Sequence, residues 1–218
     1  MTTLTEENYL KAIYHLTKDK DTVLVNELSR MLGVKMPSVN SMMKKFMEKD
    51  WVHFQSYKPI VVTPEGKKRA ALVVRKHRLT EMFLVEKMGF AWDEVHEIAE
   101  EIEHINSEAF FEKIDHLLNF PKADPHGSPI PDKEGRVPHF NYIRLTELNN
   151  GEKGIFSALS EAPVELLNHL DTIALSLGAL VEVLHVEPFD GSTTLKYAAR
   201  THILSKVVCE RLLVERIS

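Results

Sequence analysis

Apolar residues first recur at helical spacing near the start of the chain. Tyr9, Leu10, Ile13 and Leu16 share one face of a helix predicted over 4–18, with Thr3 and Glu6 at capping-box spacing. A short loop at 18–22 leads to VNELSRMLG, a brief helix stopped by Gly33. A second helix starts around Pro37, whose missing N–H suits a first turn, and turns Val39, Met42, Met43 and Phe46 inward. From Trp51 to Thr63 the period changes to that of strands, with a polar turn near 55–59, so a hairpin or wing is expected. Thr63 then caps a long helix running to about Met88, where Gly89 ends it. Asp93 and Ser107 are expected to cap two further helices, ending near Ile105 and Asn119. The segment 121–140 is dense in Pro, Gly and charge and is expected to be a linker or ordered loop. Beyond Asn141 the short apolar runs IRLTEL, GIFSAL and LVEVLHV surround one helical stretch from Pro163 to Ser176, the pattern of a small β-barrel with one helix. The fold class is therefore mainly α with a small β part, in three segments: 1–63, 64–140 and 141–218.

Charge sharpens this division. The whole chain carries −5, yet residues 1–75 hold 13 Lys and Arg against 8 Asp and Glu. The N-terminal end is thus the basic one and the candidate for contact with nucleic acid. The remainder is acidic and rich in His, which suits a cation better than a phosphate, although a solvated acidic surface has the same composition. The single Cys209 excludes both a disulfide framework and a thiolate zinc finger. With no apolar run of eighteen residues, and with MTTLTEENYL lacking the features of a signal peptide, the chain is expected to be cytoplasmic, with no membrane partner.

Helix, Gly-containing turn, helix and wing is the order that lets one helix enter the major groove while its neighbours touch phosphates. In the second helix the polar positions are Lys35, Ser38, Asn40, Ser41, Lys44 and Lys45, beginning beside Pro37. Those near its N-terminal end are placed to face base edges. Lys44, Lys45, Lys58 and Lys49 suit phosphates, and the same lysines would also solubilise a small helical domain. The absence of aromatic stacking platforms favours double-stranded DNA over RNA.

The acidic part holds a second pattern. In RKHRLTEMFL, His77 and Glu81 lie at i and i+4. In VHEIAEEIEHINSE, His96, Glu100, Glu103 and His104 fall at i, i+4, i+7 and i+8. Two such faces packed together would surround one or two cations with the mixed N/O ligands that suit Mn(II), Fe(II) or Zn(II). An exposed Glu/His stripe would show the same spacing. His15, His53, His116, His139, His169, His185 and His202 are scattered and read as surface or core residues.

Taken together, TEENYLKAIYHL, VKMPSVNSMMKKFMEKDWV, VTPEGKKRA, RKHRLTEMFL, VHEIAEEIEH and DPHGSPIP make the chain resemble the diphtheria-toxin-repressor family of iron- and manganese-dependent regulators over nearly its whole length. The resemblance implies an N-terminal winged helix-turn-helix, a helical dimerisation and metal domain, and the C-terminal SH3-like (FeoA-type) domain of longer members. It places a primary metal site at Asn8, Glu100, Glu103 and His104, and an ancillary site at His77, Glu81 and His96. For a ligand from the SH3-like domain Glu161 is the best candidate, with Glu165 competing. Arg78 and Ser128 match an anion-binding pair of the family, whereas Asp124 does not. Two positions depart from the pattern. Asn8 stands where Met or Asp is usual and offers only a neutral amide oxygen. Lys11 stands where short manganese regulators have a Glu of a binuclear centre, so separated sites are expected. Glu100, where iron-sensing members have Cys, leans toward Mn(II) over Fe(II), with Zn(II) as a surrogate.

The resemblance therefore implies a repressor that binds operator DNA as a homodimer when loaded with metal and controls metal-uptake genes. Val95, Ile98, Ile102 and Phe110 are compatible with a dimer face or with an internal core. A metallohydrolase, using Glu and His around a divalent ion to activate water, is a rival of another class. A winged-helix regulator sensing an organic ligand is a third reading.

Overall fold

The structure, a computed structural model, describes residues 2–18 and 20–217, so Asp19 of the expected loop lies outside the described residues. The chain forms two compact units, one of residues 1–83, 97–122 and 130–138, the other of 84–96, 123–129 and 139–218. No helix among the described residues is long and apolar enough to cross a membrane.

The first unit opens with α1 (Leu4–Leu16), started by the expected reciprocal cap: Thr3 Oγ1 accepts the Glu6 amide at 3.3 Å and the Glu6 carboxylate accepts the Thr3 amide at 3.0 Å. α2 (Val25–Leu32) ends at Gly33, whose φ of 65° only glycine adopts without strain. α3 (Met36–Glu48) follows with Pro37 in its first turn. β2 (Val52–His53) and β3 (Ile60–Val62) form the expected wing. A two-residue strand, β1 (Thr22–Val23), pairs with the far edge of β3 and gives an antiparallel order β1-β3-β2. So short a strand has no period to read, and the sequence placed only a loop beside it.

These elements share one core. Phe46 of α3 is fully buried between the edges of Tyr9, at 6.4 Å between ring centres, and Trp51, at 5.1 Å. Leu10, Ile13, Leu28, Val39, Met43 and Ile60 close around it. α4 (Pro64–Phe83) starts with the Gly66 amide donating to Thr63 Oγ1 at 3.0 Å. A Cβ at Gly66 would sit 2.0 Å from the Trp51 carbonyl oxygen, so this glycine lets α4 begin directly against the wing.

α4 packs along α1 and against α6 (Glu108–Leu117), whose N-cap Ser107 accepts the Phe110 amide at 3.3 Å. Arg75 donates to Asp115 at 2.6 Å and to the Pro131 carbonyl at 2.7 Å, a paired charge that ties α4 to α6 and to the 130–138 segment. The long helix expected to reach Met88 is α-helical only to Phe83, and Leu84–Met88 form a π-helical turn before Gly89. α5 (Val95–Ile102) ends three residues before the expected Ile105, which leaves Glu103 and His104 in the turn beyond it.

The second unit is built on an antiparallel six-stranded sheet of order β4-β9-β5-β6-β7-β8. Its strands are β4 (Ile143–Arg144), β5 (Lys153–Leu159), β6 (Leu180–Val186), β7 (Thr193–Tyr197), β8 (Arg200–Leu204) and β9 (Leu212–Ile217), with α7 (Val164–Thr172) and the short α8 (Lys206–Cys209). Phe156, Leu167, Leu170, Val183, Leu195 and Val214 form its core. The Pro-rich segment is ordered here: a Cβ at Gly127 would lie 2.1 Å from the Ser157 carbonyl oxygen, and φ at this glycine is 82°. Only glycine lets the 123–129 turn lie against β5.

Replacing Phe46 with Ala should lower the stability of the first unit by about 3–5 kcal/mol, as expected for a large side chain removed from a fully packed site. Urea unfolding followed by circular dichroism reads the effect.

Candidate metal centre and nucleic-acid interface

α3 divides cleanly into two faces. Val39, Met42, Met43 and Phe46 are buried, and Lys35, Pro37, Ser38, Asn40, Ser41, Lys44 and Lys45 are all exposed, as is Lys58 on the wing. The Ser41 hydroxyl donates back to the Pro37 carbonyl at 3.0 Å. Lys49 differs from the other candidates. Its ammonium bonds Glu6 Oε1 at 2.5 Å and lies 4.6 Å from the centre of the Trp51 ring, so it serves the fold rather than a free basic surface.

The acidic residues converge on the inner side of α1. Glu103, with a fully buried side chain, is the hub: Oε2 meets His77 Nδ1 at 2.6 Å, and Oε1 accepts from Lys11 Nζ at 2.7 Å. Lys11 Nζ also donates to Glu100 Oε1 at 2.5 Å. His77 Nε2 lies 2.9 Å from Glu81 Oε1, so both ring nitrogens face carboxylates. His104 places Nε2 3.7 Å from Glu103 Oε1, and its Nδ1 lies 2.7 Å from Glu7 Oε2. Glu7 Oε1 in turn accepts from Lys76 at 3.0 Å and from the Thr2 hydroxyl at 2.9 Å. Five expected ligands, His77, Glu81, Glu100, Glu103 and His104, therefore belong to one network anchored on α1, α4 and the end of α5.

Asn8, on α1 between Glu7 and Lys11, holds its side-chain Oδ1 buried with no hydrogen-bond partner. A buried amide oxygen without a donor is costly and points to a missing partner that accepts electron density. His96 stands one turn before Glu100 on α5 and is exposed, and Glu161 is exposed in the second unit, with Arg211 Nε at 3.5 Å. Arg78 is buried with its guanidinium 5.5 Å from the Tyr14 ring centre, and the Ser128 amide donates to Asp124 Oδ1 at 2.9 Å.

Two groups of residues are not read as site residues from the sequence, Asp124 among them because it does not match the anion-binding pair. Glu7 escaped because it lies outside the two i, i+4 stripes. Asp124 and His126 sit in what the composition marks as a linker, yet both are buried. Asp124 Oδ1 also accepts the His126 amide at 2.8 Å, and His126 Nε2 lies 2.9 Å from the Trp92 carbonyl with the two rings stacked 6.1 Å apart. Composition carried no signal for them, because Asp and His in a Pro/Gly turn are ordinarily solvated and only the fold buries these two.

Three family patterns cover the chain: "Iron dependent repressor, N-terminal DNA binding domain" at residues 1–60, "Iron dependent repressor, metal binding and dimerisation domain" at 63–132, and the FeoA domain at 143–216. The iron-dependent repressor IdeR of Mycobacterium tuberculosis is 32% identical over 154 residues, 67% of each chain. The chain belongs to the iron-dependent repressor family. The diphtheria toxin repressor of Corynebacterium glutamicum is 31% identical over 195 residues, covering 78% of this chain and 83% of its own. A solved manganese-dependent transcriptional repressor in complex with manganese superposes with a TM-score of 0.87 at 30% identity, over 97% of this chain and 100% of its own. Members of the family are transcriptional repressors and not enzymes, so the metallohydrolase reading falls, and the metal dependence of the relatives favours a metal sensor over an organic-ligand sensor.

In this repressor the donor set fits a divalent cation. Asn8 Oδ1, the Glu100 and Glu103 carboxylates and the His104 imidazole are hard to borderline ligands, and Cys209, the one thiol, is buried in the core of the other unit. The electrostatics of the network show how tightly it is balanced. Burial alone would depress His77, but hydrogen bonds to Glu103 and Glu81 overcome it and raise its pKa to about 9. Burial likewise pushes Glu103 up, and its bonds to His77 and Lys11 outweigh that and hold it below the ordinary carboxylate value.

An unfolded imidazole releases its proton near 6.5, whereas His77 keeps it to about 9 in the folded chain. Its contribution is therefore complete below about pH 6.5 and lost as pH rises toward 9. The chelated protein should melt at progressively lower temperature across that window, and His77→Gln should flatten the decline. Parallel profiles for parent and variant would contradict this.

Proposed function

We propose that this chain is a cytoplasmic, Mn(II)-activated repressor that binds operator DNA as a homodimer and controls metal-uptake genes. The observation that carries the reading is that Glu100, Glu103 and His104 belong to one network reaching α1 through Lys11 and Glu7, while Asn8 on the same helix holds its Oδ1 buried without a hydrogen-bond partner, all within the unit that also holds the recognition helix. The primary site would be Asn8, Glu100, Glu103 and His104. His77, Glu81 and His96 would supply the ancillary site, with Glu161 as the added ligand, and Arg78 and Ser128 would serve an anion. Oxygen-rich ligands without sulfur support Mn(II), as does the manganese complex among the structural relatives. Fe(II) is the second reading, favoured by the iron-dependent relatives, and Zn(II) would act as a surrogate.

A bound cation would supply positive charge shared by α1 and the end of α5. Asn8 lies on the helix whose Tyr9, Leu10 and Ile13 pack into the core with α3, so whatever fixes α1 fixes the recognition helix. In a dimer this sets the relative placement of two such helices for successive major grooves, about 34 Å apart. Ile105, Phe110, Leu117 and Phe120 expose apolar surface around α6 and support a second copy as the partner. Metal that favours the DNA-competent arrangement must in turn be held more tightly by DNA.

The test is binding to DNA from upstream of the protein's own gene, titrated anaerobically with Mn(II), Fe(II) and Zn(II) after chelation. Metal-dependent binding supports the repressor, and the order of activation names the ion. Binding indifferent to every metal would refute the reading.

Glu103→Gln should weaken Mn(II) binding at least tenfold, about 1.4 kcal/mol, because it removes the buried anionic hub; equilibrium dialysis measures this. Lys44→Ala and Lys45→Ala should each lower the slope of log affinity against log salt by about 1, uniformly across sequences, as expected for phosphate contacts. Fluorescence anisotropy at a series of salt concentrations checks it.

A further inference from the structure

The Lys11 ammonium sits where a cation belongs. It reaches across from α1 to Glu100 Oε1 at 2.5 Å and to Glu103 Oε1 at 2.7 Å, with a side chain only 14% exposed, while the Glu103 side chain has no exposure at all. Two carboxylates on successive turns of chain would repel each other there, and a fully buried one without a partner would be strongly destabilising. An ammonium is a compact point charge with three donors, and two of them are used on these two oxygens. The same two carboxylates are those proposed to hold the divalent ion, and a carboxylate oxygen held by a charge-assisted hydrogen bond is less available as a ligand.

We propose that Lys11 is a tethered counter-cation that competes with the divalent ion for Glu100 and Glu103. This inference rests on the metal-site reading above. In the metal-free protein Lys11 offsets one of the pair's two negative charges and holds α1 to the end of α5. Loading requires its ammonium to leave both oxygens, so Lys11 raises the concentration of free ion at which the repressor responds. The lysine thus replaces one part of what the ion does, the neutralisation of charge, without engaging Asn8 Oδ1, which stays without a partner while Lys11 is in place. A residue chosen only for solubility would sit on the outer face of α1, beside exposed Leu4 and Thr5, rather than against a fully buried carboxylate.

The experiment compares the full chain with Lys11→Met, which keeps an unbranched stem and removes the charge, and with Lys11→Arg, which keeps the charge. Melting temperature in chelator and Mn(II) affinity by competition with a fluorescent chelator are both read. Lys11→Met should melt about 2–4 °C lower in chelator, the shift expected for a change of about 1 kcal/mol in a chain of this size. It should also bind Mn(II) about tenfold more tightly, and Lys11→Arg should stay near the parent in both. Unchanged or weaker Mn(II) affinity in Lys11→Met, with the parent binding normally, overturns the proposal alone. If neither parent nor variant binds Mn(II), Fe(II) or Zn(II), the metal-site reading itself fails. A measurement on the parent is independent of how the variants fold: the 15N-detected Lys11 side-chain ammonium signal should be present in chelator and displaced on saturation with Zn(II). A signal unmoved by zinc saturation overturns the proposal.

Discussion

The burial of the Glu103 carboxylate is the constraint on which the organisation of the first unit turns. A side chain with no solvent exposure cannot remain ionised without positive charge beside it, and two sources meet that need: Lys11 from α1 and the doubly bonded His77 from α4. One buried anion therefore makes the helix that begins the DNA-binding segment, the long connecting helix and the turn after α5 electrostatically dependent on one another. His104 and Glu7 extend the same dependence back to α1, with Lys76 closing the network. A site of this kind suits a sensor, since any change in its charge balance is felt by three elements that are otherwise held by apolar contact.

The apolar core converts that local balance into a position. α1 contributes Tyr9, Leu10 and Ile13 to the cluster in which Phe46 of α3 is fully buried, so the outer face of α3, with Lys44 and Lys45, cannot move independently of α1. Interiors packed to crystal-like density transmit a displacement rather than absorb it. The glycine at 66 removes the last slack on the wing side by allowing α4 to start against the Trp51 carbonyl. Charge on one side of α1 and packing on the other give a single helix two duties.

The helical elements were largely legible in the sequence because each carries its own punctuation: the Thr3 and Glu6 cap, Gly33, Pro37, Thr63 and Ser107 all act where local chemistry places them. What failed to show was short or context-dependent. β1 has two residues and exists because β3 offers it an edge. The last turns of the long helix open into a π-turn at Leu84–Met88, and α5 stops at Ile102 although its residues continue a helical pattern. At the candidate site the i, i+4 stripes gave His77, Glu81, Glu100, Glu103 and His104 from periodicity, while Glu7, Asp124 and His126 had no period to betray them.

By itself the amino-acid order determined which residues are chemically able to form the site and which face of each helix they occupy, because helical periodicity is a property of local backbone geometry. It also placed the basic surface in the N-terminal segment and the acidic stripes between residues 77 and 104, in the middle of the chain. Only the tertiary structure decided which charges meet: that Lys11 lies between Glu100 and Glu103, 89 and 92 positions away, that Glu7 holds His104, and that Asn8 Oδ1 is left without a partner. Such pairings depend on how α1, α4 and α5 pack. No local pattern encodes the distance between side chains that the fold brings together from opposite ends of a unit.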